Sequence, residues 1–129
     1  MTEPTKPAPE QTHAGVHYMA EFWGAEVVED PARLAELLHG AARAGNSTVV
    51  GEAIHAYSPH GITGFILLAE SHLSFHTWPE LDYIAVDIFT CGDRADGRAA
   101  VAYLEQELAP ERVELQAVSR GRYTPGKVK

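Results

Sequence analysis

Cysteine is almost absent from this sequence, which has a single one, Cys91, among 129 residues. One cysteine excludes a framework of internal disulfides and fits a reducing compartment. Long apolar runs are also absent, since no stretch reaches the roughly 18 apolar residues that a membrane-spanning helix needs. The N-terminus lacks the basic and then apolar layout of a secretory signal peptide. We therefore expect a cytoplasmic protein that does not interact with membranes.

Positive charge is scarce as well. The chain has 10 lysines and arginines against 18 aspartates and glutamates, which gives a formal net charge of −8. This balance argues against nucleic acids and acidic membrane surfaces as partners. It suits a cationic small molecule as substrate.

The length is that of one domain with a substantial core. Residues 1–14 are rich in proline and polar side chains, which predicts a disordered extension. Residues 124–129 are expected to form a frayed tail. The single folded domain should therefore span residues 15–123.

Hydrophobic periodicity and turn signals predict two helices and at least five strands. A first helix should begin after Asp30, with Pro31 at its first position, and should stop at Gly45. The remaining predicted elements are strands at 16–23, 47–57, 64–69, 73–76, 83–90 and 112–119, and a second helix at 93–108. This order predicts an α+β fold, a two-layer sandwich whose two helices cover one face of a mainly antiparallel sheet. The uncovered face is expected to make the protein a homo-oligomer.

Reactive side chains concentrate between residues 70 and 91. Leu73 and Phe75 alternate with polar residues, which predicts a half-buried strand with His72 and His76 on one face. Histidines at this spacing are a zinc pattern on a helix. On a strand they lie roughly 13 Å apart at about 3.3 Å per residue, too far to share one ion. We therefore expect no metal site.

The run 83–90 is also strand-like, and Pro79 marks a turn before it, so the two runs are expected to form a hairpin. The hairpin would return Cys91 towards Ser71. Ser71, His76 and Cys91 are thus expected to converge near one edge of the sheet, where covalent catalysis is one interpretation. A buried, chemically inert cysteine is the other. There is no Gly-x-Ser-x-Gly motif and no cysteine-protease signature.

The stretch Glu-Ser-His-Leu-Ser-Phe-His-Thr-Trp-Pro-Glu at 70–80, followed by Asp-Ile-Phe-Thr-Cys-Gly at 87–92, resembles the prokaryotic S-adenosylmethionine decarboxylase proenzymes. These form the small, pyruvoyl-dependent class, and the resemblance covers residues 17–123. It implies autocatalytic cleavage between Glu70 and Ser71 into a β chain, 1–70, and an α chain, 71–129. Ser71 would become a pyruvoyl group, the only cofactor implied, which forms a Schiff base with the substrate.

The resemblance also assigns roles to three further residues. His76 would take the α-proton of Ser71 during processing. Thr63 stands where the family commonly has a serine that steadies the attack intermediate. Cys91 would protonate the product carbon after decarboxylation. The family's (αβ)2 assembly has its active sites near the dimer interface, which agrees with the expected homo-oligomer.

The same resemblance implies a nucleoside pocket. Tyr57 would stack on the adenine ring, Glu80 would bind the ribose hydroxyls, and Trp78 would flank the site. Glu21 resembles a glutamate of the family's first strand, although a solvated edge charge is an equally good interpretation. The implied product is the aminopropyl donor for spermidine biosynthesis. The alternatives are a pyruvoyl-dependent L-ornithine or L-arginine decarboxylase of the same fold, and a non-enzymatic relative that is never cleaved.

Overall fold

The computed structural model describes residues 12–91 and 94–126. It contains a six-stranded sheet, two α-helices and a short 3-10 helix at Pro79–Leu81. The strands are β1 Thr12–Trp23, β2 Val49–Ala56, β3 Ile62–Leu68, β4 Ser71–Trp78, β5 Tyr83–Cys91 and β6 Arg112–Tyr123. The helices are α1 Pro31–Ala44 and α2 Gly97–Leu108. Neither α-helix is long and apolar enough to cross a membrane, within the part of the chain that is described.

The sheet order is β2-β3-β4-β5-β1-β6, and every neighbouring pair is antiparallel. Buried residues alternate with more exposed ones along β3, β4 and β5, because successive side chains of a strand point to opposite faces. The buried face packs against both helices. The core includes Phe22, Leu34, Leu37, Leu38, Ile62, Ile66, Leu73, Phe75, Ile88, Leu104 and Leu108. The predicted α+β fold with two helices on one face is confirmed.

Helix α1 begins and ends where its sequence signals place it. The Asp30 carboxylate accepts a hydrogen bond from the amide of Ala32 at 3.0 Å, and Pro31 is the first helical residue. The Gly45 amide closes the last turn on the carbonyl of Ala41. These local signals are strong because the first amides and last carbonyls of any helix need partners outside it.

Helix α2 starts later than predicted. It begins at Gly97, and the Asp96 carboxylate caps it by accepting from the amide of Ala99 at 3.0 Å. Asp93, the predicted first residue, lies outside the described residues. Asp93 and Asp96 are both good caps by type, so the sequence alone did not decide between them.

The predicted disorder of 1–14 is wrong for its last three residues. Thr12 and His13 already belong to β1 and pair with Tyr123 and Arg122 of β6. The last strand correspondingly runs to Tyr123 instead of ending at Ser119. The two ends stabilise each other through a backbone ladder, which polar composition does not reveal. Residues 1–11 and 127–129, predicted to be disordered and frayed, lie outside the described residues.

No helix covers the second face of the sheet among the described residues, and this face carries large apolar side chains. Phe65, Leu67 and Val118 are 39%, 46% and 44% exposed there. We call this surface the open face.

Candidate active site

The predicted hairpin of β4 and β5 is confirmed, with His72 paired to Phe89 and Trp78 paired to Tyr83. The 3-10 helix at 79–81 makes the turn. This register returns the end of β5 to the start of β4. As a result, the Cys91 thiol donates a hydrogen bond to the carbonyl oxygen of Glu70, with the sulfur 2.6 Å from that oxygen.

The peptide bond between Glu70 and Ser71 lies at a tight turn. Residues 69–70 form the turn between β3 and β4, and Leu68 pairs with Ser71 across it. The Glu70 carboxylate accepts from the amide of Thr48 at 2.7 Å. Glu70 is therefore held through its side chain and also through its carbonyl. The turn connects adjacent strands, so both strands would stay hydrogen-bonded in the sheet if this bond were cut.

His76 lies towards the other end of β4. It pairs with Thr63 of β3, and its Nδ1 is 3.2 Å from the Thr63 hydroxyl oxygen. His76 follows Ser71 by five positions of extended strand, which is about 16 Å at roughly 3.3 Å per residue. The structure thus brings Ser71 and Cys91 together, but the prediction that His76 joins them is wrong within one chain. An extended strand cannot fold back on itself.

A cleft of about 660 Å³ lies at the His76 end of β4. Its lining includes the three residues predicted to bind the substrate, Tyr57, Trp78 and Glu80. It also includes Thr63 and His76, which were predicted to act in processing. The Thr63 hydroxyl donates to the Tyr57 hydroxyl at 3.3 Å, which links the two sides of the cleft.

His60 is a residue of this cleft that the sequence interpretation missed. Its Nε2 is 3.0 Å from a carboxylate oxygen of Glu80. The loop that carries His60 is closed by a hydrogen bond from the Tyr57 amide to the Gly61 carbonyl. The sequence does not indicate a functional role for a histidine in a turn-rich loop, because His60 comes close to Glu80 only in the folded protein.

An aromatic stack extends from the cleft across the open face. Trp78 stacks on Tyr83 with ring centroids 5.4 Å apart, and Tyr83 stacks on Trp23 at 4.5 Å. The Tyr83 hydroxyl donates to the Glu21 carboxylate at 2.5 Å. Burial, and then the hydrogen bond to Glu21, raise the pKa of Tyr83 above its ordinary value. The interpretation of Glu21 as a solvated edge charge is wrong, because β1 lies between β5 and β6 and the carboxylate is engaged.

A second cleft, of about 800 Å³, opens at the Ser71 end of the sheet and is lined in part by Cys91, Tyr18 and Tyr123. The Cys91 side chain is exposed, so the interpretation of it as a buried, inert cysteine is wrong. Within residues 12–91 and 94–126, no three His, Cys, Asp or Glu side chains are grouped to hold a metal ion. The absence of a metal from the chemistry stays a prediction.

Comparison with known proteins identifies the family. The family model described as S-adenosylmethionine decarboxylase matches residues 16–121. The S-adenosylmethionine decarboxylase proenzyme of Methanococcus maripaludis is 38% identical over 117 residues, which cover 89% of this chain and 96% of that protein. The proenzyme of Thermomicrobium roseum is 40% identical over 108 residues, which cover 83% of this chain and 93% of that protein.

Solved structures agree with this assignment. The crystal structure of the adenosylmethionine decarboxylase from Aquifex aeolicus matches with a TM-score of 0.83 and 34% sequence identity. The match covers 91% of this chain and 98% of that one. The sequence identity, the shared fold and the nearly full-length coverage thus lead to one conclusion, that this chain belongs to the S-adenosylmethionine decarboxylase family.

Proposed function

We propose that this chain is a proenzyme that cleaves itself between Glu70 and Ser71 and then decarboxylates S-adenosylmethionine, supplying the aminopropyl donor for spermidine biosynthesis. The observation that carries the proposal is the 2.6 Å contact between the Cys91 thiol and the Glu70 carbonyl oxygen. A free thiol held on the carbonyl that precedes a serine suits a cleavage site that later becomes a catalytic site.

The Ser71 end of β4 fits a pyruvoyl group made from the chain itself. Ser71 follows the turn at Glu70, and a β-hydroxyl is what conversion of an α-amino acid into a ketone requires. The pyruvoyl group would supply the electron sink that decarboxylation of an amino acid needs and that no ordinary side chain provides. Cys91 is the residue beside this position able to give a proton to the substrate carbon, as thiols do in general acid catalysis.

The cleft at the His76 end supports a nucleoside substrate. Tyr57 and Trp78 offer aromatic faces for a purine ring, and Glu80 offers a carboxylate for vicinal hydroxyls. The net charge of −8 suits the cationic sulfonium. Curated relatives at 37–40% identity are named S-adenosylmethionine decarboxylase proenzymes, which favours this substrate over ornithine or arginine.

The two halves of the site lie about 16 Å apart along β4, so we propose that a second copy of the chain completes each site. His76, Thr63 and Cys91 are on the open face, where Phe65, Leu67 and Val118 are also exposed. Two copies packed through their open faces and related by a two-fold axis would set the His76 half of one against the Ser71 half of the other. The active species would then be (αβ)2 or larger. In this assembly His76, aided by Thr63, would take the α-proton of a second copy's Ser71.

We also propose a cytoplasmic location, because the chemistry needs the lone Cys91 thiol in its reduced form. Neither nucleic acid nor a membrane surface is part of the proposed activity, in keeping with the excess of negative charge.

The proposed activity is tested by measuring carbon dioxide release from the purified, cleaved protein with S-adenosylmethionine, ornithine and arginine in parallel. We expect release from S-adenosylmethionine alone. The matched control is Ser71→Ala, which keeps the chain intact and should release none. Release from ornithine or arginine alone would still support the proposed cleavage chemistry. It would refute the proposal that Tyr57 and Glu80 bind a nucleoside. An uncleaved 14.0 kDa wild-type chain would refute the proposal as a whole.

A further inference from the structure

The structure points to a role for His72 that the family resemblance did not supply. We infer that His72 is the base that takes the hydroxyl proton of Ser71 in the first step of self-cleavage, and that this step is completed within one protomer. The inference rests on the proposed cleavage between Glu70 and Ser71. It concerns how the serine becomes a nucleophile, which precedes the removal of its α-proton.

The geometry that carries the inference is the contact between Ser71 and His72. The Ser71 hydroxyl oxygen is 3.3 Å from Nδ1 of His72. With its proton on Nε2, a neutral imidazole presents Nδ1 as an acceptor to that hydroxyl. His76 lies about 16 Å away in the same chain and cannot perform this task there.

The His72 ring is held in place by its neighbours on both adjacent strands. It stacks on Phe65 of β3 with centroids 5.5 Å apart and planes within 19° of parallel. On the other side it contacts Phe89 of β5 at 6.3 Å. A ring fixed between two aromatic side chains keeps Nδ1 directed at Ser71 without a conformational search, as a preorganised base requires.

The group under attack is held in the same protomer. The Cys91 thiol donates to the Glu70 carbonyl oxygen, where negative charge would develop during attack. The Glu70 carboxylate is anchored on the Thr48 amide. Nucleophile, base and polarised carbonyl therefore all belong to one chain, whereas the α-proton step needs His76 from a second copy.

The step balances without any co-reactant. The Ser71 hydroxyl proton moves to Nδ1 of His72, and the Ser71 oxygen bonds to the Glu70 carbonyl carbon. The bond from that carbon to the Ser71 nitrogen then breaks, and the imidazolium returns its proton to the nitrogen. The product is an ester with a free α-amino group, an isomer of the starting chain with unchanged mass.

The test uses the His76→Ala variant, in which the second step is blocked and the ester should accumulate. Hydroxylamine cleaves esters but not ordinary amides, so the ester is measured as fragments of about 70 and 59 residues by intact mass. We expect His72→Ala in this background to reduce ester formation at least 100-fold, within the usual range for loss of a general base. Added imidazole should restore it. His72→Gln, which can hydrogen-bond but cannot take the proton, should remain slow.

The matched control is His39→Ala in the same background. His39 is also a half-exposed histidine, but it pairs with Glu52 at 2.7 Å on α1 and β2, so its loss should leave ester formation unchanged. Circular dichroism checks that each variant is folded. Ester formation at the undiminished rate in either His72→Ala or His72→Gln, both in the His76→Ala background, would refute His72 as the base. No ester in His76→Ala alone would refute completion within one protomer. Failure of the wild type to cleave would refute the proposed function instead.

Discussion

At the scale of single residues, the contact between Cys91 and Glu70 joins two stages of the proposed chemistry at one place. Before cleavage the thiol donates to the carbonyl of the bond to be cut. After the proposed cleavage the same thiol would remain beside the new end of the chain at Ser71, because the pairing of β4 with β5 does not depend on the cut bond. One side chain can therefore serve in both stages without moving to a new site.

Replacing Cys91 separates the two stages. We predict that Cys91→Ala still yields the 1–70 and 71–129 fragments, because the Glu70 side chain remains bound to the Thr48 amide. Cleavage should be slower, because the Glu70 carbonyl loses its hydrogen bond from the thiol. Decarboxylation should fall about 100-fold for want of the proton donor. Intact mass follows the fragments and carbon dioxide release follows turnover. Turnover at the wild-type rate would remove the assigned role.

Tyr83 and Glu21 give a second residue-scale prediction, on pH. The pKa of Tyr83 is raised by burial and by Glu21, so the folded protein holds this proton more tightly than the unfolded chain does. The stabilisation is complete below the ordinary tyrosine pKa of about 10 and is lost as the pH rises above it. We predict that the free energy of unfolding, measured by urea denaturation at a series of pH values, falls as the pH rises above about 10.

The matched variant for this effect is Tyr83→Phe, which keeps the stack with Trp78 and Trp23 but removes the titrating group. Its stability should be lower at neutral pH, because the Glu21 carboxylate loses a hydrogen bond worth about 1.5–3 kcal/mol. Its decline above pH 10 should be shallower than that of the wild type. An equal decline in both proteins would assign the effect to other tyrosines.

At the scale of elements, the approach of α1 to β3 depends on a missing side chain. A Cβ at Gly64 would lie 2.7 Å from Leu34 Cδ2 and 2.9 Å from Leu38 Cδ1. Both leucines are fully buried in the core. Gly64 therefore lets the helix pack closely over the strand that carries Thr63.

We predict that Gly64→Ala lowers the free energy of unfolding by about 1–3 kcal/mol, because two fully buried leucines would have to shift to admit the added methyl group. Gly51→Ala is the control, since a Cβ there would meet Leu67 at an ordinary 3.4 Å. Urea denaturation of both variants measures the difference. Equal free energies of unfolding for the two variants would show that α1 moves to admit the methyl group without loss of stability.

At the scale of the whole molecule, the separation of His76 from Ser71 is the reason why we propose that two copies share each active site. We predict that Ser71→Ala and His76→Ala chains each fail to complete cleavage when produced alone. Produced together, a mixed dimer sets the His76 of the Ser71→Ala chain against the Ser71 of the His76→Ala chain. That chain should then be cut and should gain decarboxylase activity.

Intact mass distinguishes the chains in the mixture, because only the His76→Ala chain retains Ser71. A control mixture of His76→Ala with the double variant Ser71→Ala, His76→Ala should remain uncleaved, because one chain retains Ser71 but neither supplies His76. If co-production leaves the His76→Ala chain intact, the site is not shared between copies. Sedimentation at several protein concentrations then reports whether dimers formed at all.

Local signals in the sequence determined much of this protein. Alternation around Leu73 and Phe75 and a turn at Pro79 predicted the hairpin that returns Cys91 to the bond before Ser71. Asp30 and Gly45 bounded α1, because helix ends need partners that nearby residues supply. The residues proposed to bind the nucleoside, such as Tyr57 and Glu80, were predicted from the family resemblance, since their spacing in the sequence indicates no particular chemistry.

Only the tertiary structure decided what depends on pairing between distant segments. Pairing of β1 with β6 places Thr12 in a strand. Because β1 lies between β5 and β6 instead of at the sheet edge, Glu21 accepts a hydrogen bond from Tyr83. The register of β4 set His76 beside Thr63 and away from Ser71. These outcomes follow from which strands become neighbours, a long-range choice made by the whole core and not by any one stretch of residues.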